Sequence, residues 1–441
     1  MTTEVESVAQ RARSAALELA ALSTQTRDQA LRAVRDALVR HQGTIFAANR
    51  ADKEASARLV DRGELSTPLF KRLDLEGVKF ESLLAGIDDV IRLPDPVSAV
   101  RSATRLDDEL LLYQVSCPIG VIGVIFEARP DAAVQISTLT LKSANAVILK
   151  GGREAARTNQ ALVTAIRDGL ASVDGVNEDA VQLISTREQV RDMLDLDEWI
   201  DLVIPRGSNE LVRSIQESTR IPVLGHADGL CTVYVDSRAS LSKAVQVVVD
   251  AKTQYPAVCN AAETLLVHRD VAKTILPTLA EKLTEAGVEL RADATALPYA
   301  KGAMEATDVD FDTEFLDLIL AVKLVDSLDD AIDHINRHGS HHTDSIVTED
   351  DSAARTFLAR VDSAGVFHNA STRFADGFRY GLGAEVGVST NKTHARGPVG
   401  LEGLVIYKYC LRGDGQAVAD YGPGKKPFAH EPLPLDDAPY G

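Results

Sequence analysis

One thiol sits where a nucleophile can work. Within Gln254-Tyr-Pro-Ala-Val-Cys-Asn-Ala-Ala-Glu-Thr264, Cys259 lies in a short linker between an amphipathic run over 241–254 and a β-rich run over 263–268, and Pro256 stops the helix between them. Scaffold on both sides holds such a thiol, and neighbouring backbone N–H groups can stabilise a thiolate or an oxyanion built on it. The competing reading is a small buried apolar residue, the commoner fate of a free cysteine. The other cysteines, Cys117, Cys231 and Cys410, fall on strand patterns, and no C-x-x-C pair points to zinc or to a disulfide framework.

Phosphate-binding chemistry comes next. No G-x-G-x-x-G follows a strand, so the usual dinucleotide fingerprint is missing. Two strand ends stand in its place: Val147-Ile-Leu-Lys-Gly-Gly-Arg153, and Leu202-Val-Ile-Pro-Arg-Gly-Ser-Asn209 with a hydroxyl at a helix start. Each has a purely geometric reading, since tight strand-to-helix turns need glycine. Together at one sheet edge they suit a ribose and a pyrophosphate. His338, His341 and His342 share one loop, but no carboxylate or cysteine completes a metal spacing, so solvated turns or strand edges are expected and no metal. Asn391-Lys-Thr-His-Ala-Arg396 gathers three cationic residues, read either as a salt-linked surface loop or as an anion pocket.

The elements that must position these groups follow from periodicity. Helical spacing fills roughly 4–91, closed by Pro94 and Pro96, and an Asp107-Asp108 turn predicts a hairpin over 105–116. Short apolar strands then alternate with helices: strands at 121–126, 146–150, 181–184, 200–204 and 221–224, and helices at 132–143, 154–172, 187–194 and 209–218. A second set of strands runs through 230–236, 263–268, 318–325, 343–347 and 365–370. This is the pattern of two doubly wound parallel α/β domains, whose ligands bind beyond the carboxyl ends of the strands. The last twenty residues, rich in Pro and Gly, predict an extended tail. The chain has 441 residues, 45% hydrophobic and 25% charged, with formal charge −18. That charge argues against nucleic-acid binding, which needs a basic footprint. No run approaches a membrane span and no signal-type h-region opens the chain, so a cytoplasmic protein in a reducing compartment is expected.

Val124-Ile-Phe-Glu-Ala-Arg-Pro130, Val203-Ile-Pro-Arg-Gly-Ser208, the Cys259 segment, Phe315-Leu-Asp-Leu-Ile-Leu-Ala-Val-Lys323 and Lys392-Thr-His-Ala-Arg-Gly-Pro-Val-Gly-Leu-Glu402 together resemble the γ-glutamyl phosphate reductases, a family of the aldehyde dehydrogenase superfamily. The resemblance covers nearly the whole chain. It implies a cofactor domain over 1–104 and 118–229, a catalytic domain over 230–372, a β arm for homo-oligomerisation over 105–117 and 398–425, and a tail over 426–441. It also implies the second step of proline biosynthesis: NADPH-dependent reduction of L-glutamyl 5-phosphate to L-glutamate 5-semialdehyde with release of phosphate, through a Cys259 thioester. Lys150 would hold the adenosine ribose, Ser208 the pyrophosphate and Glu314 the nicotinamide ribose. Arg153 stands where NAD-using relatives carry a glutamate, which favours a 2′-phosphate. Ala128 falls where other members carry an oxyanion-binding asparagine, leaving Arg129 and Asn260 as candidates. Lys392, His394 and Arg396 would meet the substrate phosphate, and association with glutamate 5-kinase is a further implied partnership. In place of the Glu-Leu-Gly-Gly base of hydrolytic members stands Gly225-His-Ala-Asp-Gly229, with His226 and Asp228 as alternative bases. Rival readings are an oxidising or CoA-acylating aldehyde dehydrogenase and a catalytically silent relative.

Overall fold

The computed structural model describes residues 3–127, 129–226 and 228–435. Ala128 and Ala227, both singled out above, and the end of the tail lie outside the described residues.

The N-terminal layer is helical: Glu4–Ala20, Thr24–Arg40, Gln42–Asp61, Thr67–Arg72 and Val78–Arg92. Thr3 and Glu6 form a reciprocal capping box that starts the first helix, and Ser23 caps the second. Val5, Ala9, Ala12, Ala16 and Leu19 then recur on one face and are buried. That face packs on a parallel sheet ordered Val181–Leu183, Ala146–Lys150, Val121–Phe126, Leu202–Arg206. Every residue of Val121–Phe126 is buried, as a strand covered on both faces requires.

A second parallel sheet runs in the order Met304–Glu305, Glu289–Ala292, Ile319–Val325, Ala262–His268, Cys231–Val235, Thr343–Val347, Gly365–His368. Helices Leu241–Thr253 and Arg269–Glu285 cover one side, and Leu328–His338 and Asp351–Arg360 the other. An antiparallel sheet stands apart, ordered Val405–Arg412, Leu110–Pro118, Val100–Asp107, Glu431–Pro432. Its core is small, and Tyr407, Tyr409 and Leu411 on the edge strand Val405–Arg412 are exposed. Among the described residues no helix is long and apolar enough to cross a membrane.

Several expectations shift. The hairpin is longer than 105–116 and turns one residue later, at Asp108 and Glu109, where Glu109 takes φ 59°. The expected strand at 221–224 shrinks to a single bridge between Val203 and Val223, because Pro222 has no N–H to extend the ladder. The strand expected at 200–204 runs instead over Leu202–Arg206: the Ile200 N–H is engaged with Leu196 in the preceding turn, which carries the strand on to Arg206. Part of the tail is ordered, since Glu431–Pro432 pairs with Val100–Asp107 and Glu431 forms an ion pair with Arg105. Strands Glu289–Ala292 and Met304–Glu305 are too short to read from the sequence pattern.

Candidate active site

The two parallel sheets meet at a cleft of ≈ 1310 Å³. The first sheet reverses its winding between Val121–Phe126 and Leu202–Arg206, the switch point at which open α/β sheets take ligands. Its carboxyl ends bring Glu127, Arg129, Arg206 and Ser208 to the cleft. The second sheet faces the cleft the other way round. Cys259 precedes the strand Ala262–His268, Gly229 precedes Cys231–Val235, and His342 precedes Thr343–Val347. These three strands are neighbours, so their amino ends deliver all three residues to one place, contrary to the expectation that chemistry sits only beyond carboxyl ends.

The loop carrying Cys259 is pinned at both ends. Lys252, in the helix before it, donates to Glu263, in the strand after it, at 2.6 Å, and both side chains are buried. Burial pushes the Glu263 carboxyl up to about 7 against the attraction of Lys252, and burial likewise lowers the Lys252 ammonium. From below, the buried Cys231 thiol donates to the Cys259 carbonyl at 3.3 Å, and burial holds that thiol well above its ordinary pKa. Gly229 presses on the same peptide. A Cβ at position 229 would come within 2.2 Å of the Cys259 oxygen and 2.4 Å of its Cα. Thr372 donates to the Asn260 carbonyl, and the Asn260 amide nitrogen donates to the Ala375 carbonyl, each at 2.8 Å. The result is a half-buried thiol on a backbone with little freedom to move.

Two histidines close on that sulfur. One ring nitrogen from each of His226 and His342 and the Cys259 Sγ all lie within 4.8 Å of one another. The rings of the two histidines meet edge to face, 5.1 Å between centroids. Of the three loop histidines, only His342 reaches the site: His338 pairs with Asp312 at 2.7 Å and His341 with the Asp362 carbonyl at 2.6 Å. Asp228, the other residue considered as a base, is engaged by Arg213 and by Asn209 at 2.7 Å.

Cationic charge is concentrated on the cleft wall. Arg206 is partly reached by solvent, but its inner Nη1 is buried with no hydrogen-bond partner among the described residues, and burial pushes its pKa down to about 10. Arg129 adds to that depression, while Glu385 and Cys259 oppose it. Arg373 is buried, donates from Nε to Gln254 at 2.9 Å, and has its pKa lowered by burial and by Arg379. Arg129 is half-buried and donates to Asp131 at 3.2 Å.

Of the residues expected from sequence, Cys259, Asn260, Arg129, Ser208 and Glu314 line this cleft. Ser208 caps the helix Asn209–Ser218, and its N–H donates to Glu127 at 3.2 Å. Glu314 accepts from Asn209 at 2.8 Å and from the Gly229 N–H at 3.0 Å. Lys150 ends its strand half-buried, its pKa lowered by burial against Glu154 and Glu127, and the exposed Arg153 opens the turn beyond it. Lys392, His394 and Arg396 are absent from the lining. Their loop lies between Val388–Ser389 and Gly397–Pro398, where Lys392 and Arg396 both bind Asp362, at 2.6 and 3.0 Å, and His394 meets the Gly403 carbonyl at 3.0 Å. Asp362 thus engages both fixed cations of that loop. Sequence reasoning left Arg206, Arg373 and His342 without a role, although Arg206 stood inside a quoted motif and His342 directly before a strand.

A nicotinamide dinucleotide fits this architecture. The switch point is open, the helix Asn209–Ser218 points its N-terminus at the cleft, and a Cβ at Gly207 would have to push aside the Glu127 carboxylate, at 2.7 Å, and the Leu211 side chain. The family model described as "Aldehyde dehydrogenase family" matches residues 1–301, and the fold and thiol-centred cleft are those of an oxidoreductase of that class. The gamma-glutamyl phosphate reductase of Trichodesmium erythraeum is 53% identical over 98% of this chain and all of its own length, and gamma-glutamyl phosphate reductase 1 of Synechocystis is 54% identical over 97% of each. The crystal structure of gamma-glutamyl phosphate reductase from Thermotoga maritima superposes with TM-score 0.91 at 39% identity, covering 94% of this chain and 100% of that one. The chain belongs to the gamma-glutamyl phosphate reductase family, within the aldehyde dehydrogenases.

Proposed function

We propose that the chain reduces L-glutamyl 5-phosphate to L-glutamate 5-semialdehyde with NADPH and releases phosphate, the second step of proline biosynthesis from glutamate. The names of its relatives support the substrate. The observation that carries the reading is the buried, unpartnered Arg206 Nη1 beside Arg129, in a cleft that Cys259 and Arg373 also line. A substrate bearing a phosphoryl group supplies the missing anion, and guanidinium groups are suited to bind it bidentately.

In this mechanism Cys259 attacks the γ-carbonyl, with a histidine at the sulfur accepting the thiol proton. The C–O bond to phosphate breaks, and the leaving group departs toward Arg206, leaving a thioester on Cys259. The carbonyl carbon of that thioester is held open to the cleft, where a nicotinamide, when bound, would supply the hydride. The Cys259 N–H, with Arg129 or the remaining Asn260 amide hydrogen, steadies the oxyanion that forms. Collapse frees the aldehyde, and the sulfur regains its proton from the histidine. Ser208 and the helix it caps hold the pyrophosphate, Lys150 the adenosine ribose, Glu314 the nicotinamide ribose and Arg153 the 2′-phosphate. The exposed apolar edge Val405–Arg412 is the surface through which we propose homo-oligomers form. Glutamate 5-kinase remains the proposed partner.

The reverse reaction tests the assignment. Glutamate semialdehyde and NADP should yield NADPH only when orthophosphate or arsenate is present, because Asp228, the carboxylate of the segment that stands in place of the hydrolytic base, is held by Arg213 and Asn209, and a general base is worth about 10²–10⁴-fold. Sustained phosphate-independent turnover to free glutamate would overturn the reading, as would a requirement for CoA.

A further inference from the structure

We propose that Cys259, His226 and His342 form a binding site for a thiophilic divalent metal, Zn²⁺ above all, that reversibly silences the thiol. The three donors come from three separate segments, the linker between the two sheets for His226 and the entries of Ala262–His268 and Thr343–Val347 for Cys259 and His342, and already lie within 4.8 Å of one another. A tetrahedral Zn²⁺ with bonds of about 2.3 Å to sulfur and about 2.0 Å to nitrogen needs its donors roughly 3.3–3.5 Å apart, a contraction of at most about 1.5 Å that side-chain torsions supply. Both imidazoles are set for it. The His226 Nδ1 lies 3.0 Å from the Val388 carbonyl, which can only accept, so the proton sits on Nδ1 and Nε2 presents its lone pair. The His342 Nδ1 meets the Thr343 hydroxyl at 2.9 Å, while its Nε2 is buried without a partner on a residue only 1% exposed. An oxygen behind each imidazole is the usual support of a metal-binding histidine. One sulfur and two imidazole nitrogens select Zn²⁺ over Mg²⁺, which demands oxygen ligands. The fourth position opens on the cleft, where water completes the shell. Binding displaces the thiol proton to solvent and places the sulfur lone pair on the metal, so Cys259 cannot form a thioester until the ion is withdrawn.

Metal-free full-length protein is dialysed against ZnCl₂ and, in parallel, CoCl₂ or MgCl₂. One Zn²⁺ per chain should be retained, the Co²⁺ form should show a thiolate-to-metal charge-transfer band, and alkylation of Cys259 by iodoacetamide should slow at least about tenfold with Zn²⁺, recover with a chelator and ignore Mg²⁺. Cys259→Ser should abolish the band, and His226→Asn and His342→Asn should each weaken Zn²⁺ binding by roughly 100-fold or more. Because His342 is buried and its replacement risks the fold, the half-buried His226 and the serine variant suffice for the decision. Retention of Zn²⁺ undiminished in folded Cys259→Ser and His226→Asn, or a Co²⁺ spectrum without the thiolate band, overturns the proposal.

Discussion

Replacing Arg206 by methionine separates what that residue does for the fold from what it does for the reaction. Its pKa is depressed from 12.5 to about 10, chiefly by burial. At about 1.4 kcal/mol per unit this sets an upper bound of roughly 3 kcal/mol on the cost of keeping the charge there, and the partial access of solvent reduces it to about 1–2 kcal/mol. Methionine fills similar space without that cost. Glu385, the acid that faces Arg206, accepts from the Gly377 N–H at 2.9 Å, and burial raises its pKa against the attraction of Arg206, so loss of the arginine moves it further in that direction. Stability should therefore hold or rise by about 1–2 kcal/mol. Activity should move the other way. Truncating one member of a desolvated charge pair costs about 2–4 kcal/mol, or roughly 30- to 1,000-fold, and it should appear as a raised KM for orthophosphate in the oxidative direction. Urea unfolding followed by fluorescence, and initial rates against phosphate concentration, give the two readouts. A clear loss of stability with an unchanged KM for phosphate would show that Arg206 holds the wall together and does not bind substrate.

Cys259→Ala should fold and bind cofactor while turnover falls by roughly 10³-fold or more, whereas Cys117→Ala and Cys410→Ala should be silent in steady-state assays. Cys231→Ala removes the thiol that donates to the Cys259 carbonyl, and a several-fold loss of kcat with unchanged cofactor affinity is expected. Arg153→Glu should shift preference from NADPH toward NADH, and equal use of both cofactors by the unaltered enzyme would dismiss the idea. His334 is buried with Nε2 unpartnered, and burial, with His338 adding to it, lowers its pKa from 6.5 to about 3. Its contribution is thus complete above about pH 6.5 and lost as pH falls toward 3, amounting to roughly 2–3 kcal/mol by pH 4.5. His334→Phe should flatten that part of the acid limb in denaturant titrations at pH 8 and 4.5; an unchanged pH difference would refute it.

Much of the scaffold was legible because its signals are local. Val121–Phe126, Ala146–Lys150 and Thr343–Val347 are short apolar runs between turn residues, and the helices Arg187–Leu194 and Asn209–Ser218 begin at Thr186 and Ser208, which cap them as the sequence pattern indicates. Cys259 announced itself by type and by its linker. His342 did not. Its meeting with Cys259 depends on Ala262–His268, Cys231–Val235 and Thr343–Val347 lying side by side with their amino ends at the cleft, and strand order has no local signature. The surroundings of the loop at 391–396 were hidden for the same reason: its counter-ion, Asp362, arrives from another part of the chain. Arg206 was obscured by a register shift of two residues at its strand.

The inverted orientation of the second sheet divides that domain into a working rim and an idle one. Strands of five to seven residues separate the amino ends that hold Gly229, Cys259 and His342 from the carboxyl ends by about 15–20 Å. The turns at the far ends of Cys231–Val235 and Thr343–Val347, 236–240 and 348–350, are tied together by the Glu349 N–H on the Arg238 carbonyl and the Thr348 hydroxyl on Asp236, and they carry none of the chemistry. Away from the buried Asp236 and Thr348 their composition is free to drift, and an epitope or a fluorophore belongs there. Sequence divergence among enzymes built this way should therefore be lopsided across a single sheet: dense constraint where the chain enters each strand, and latitude where it leaves.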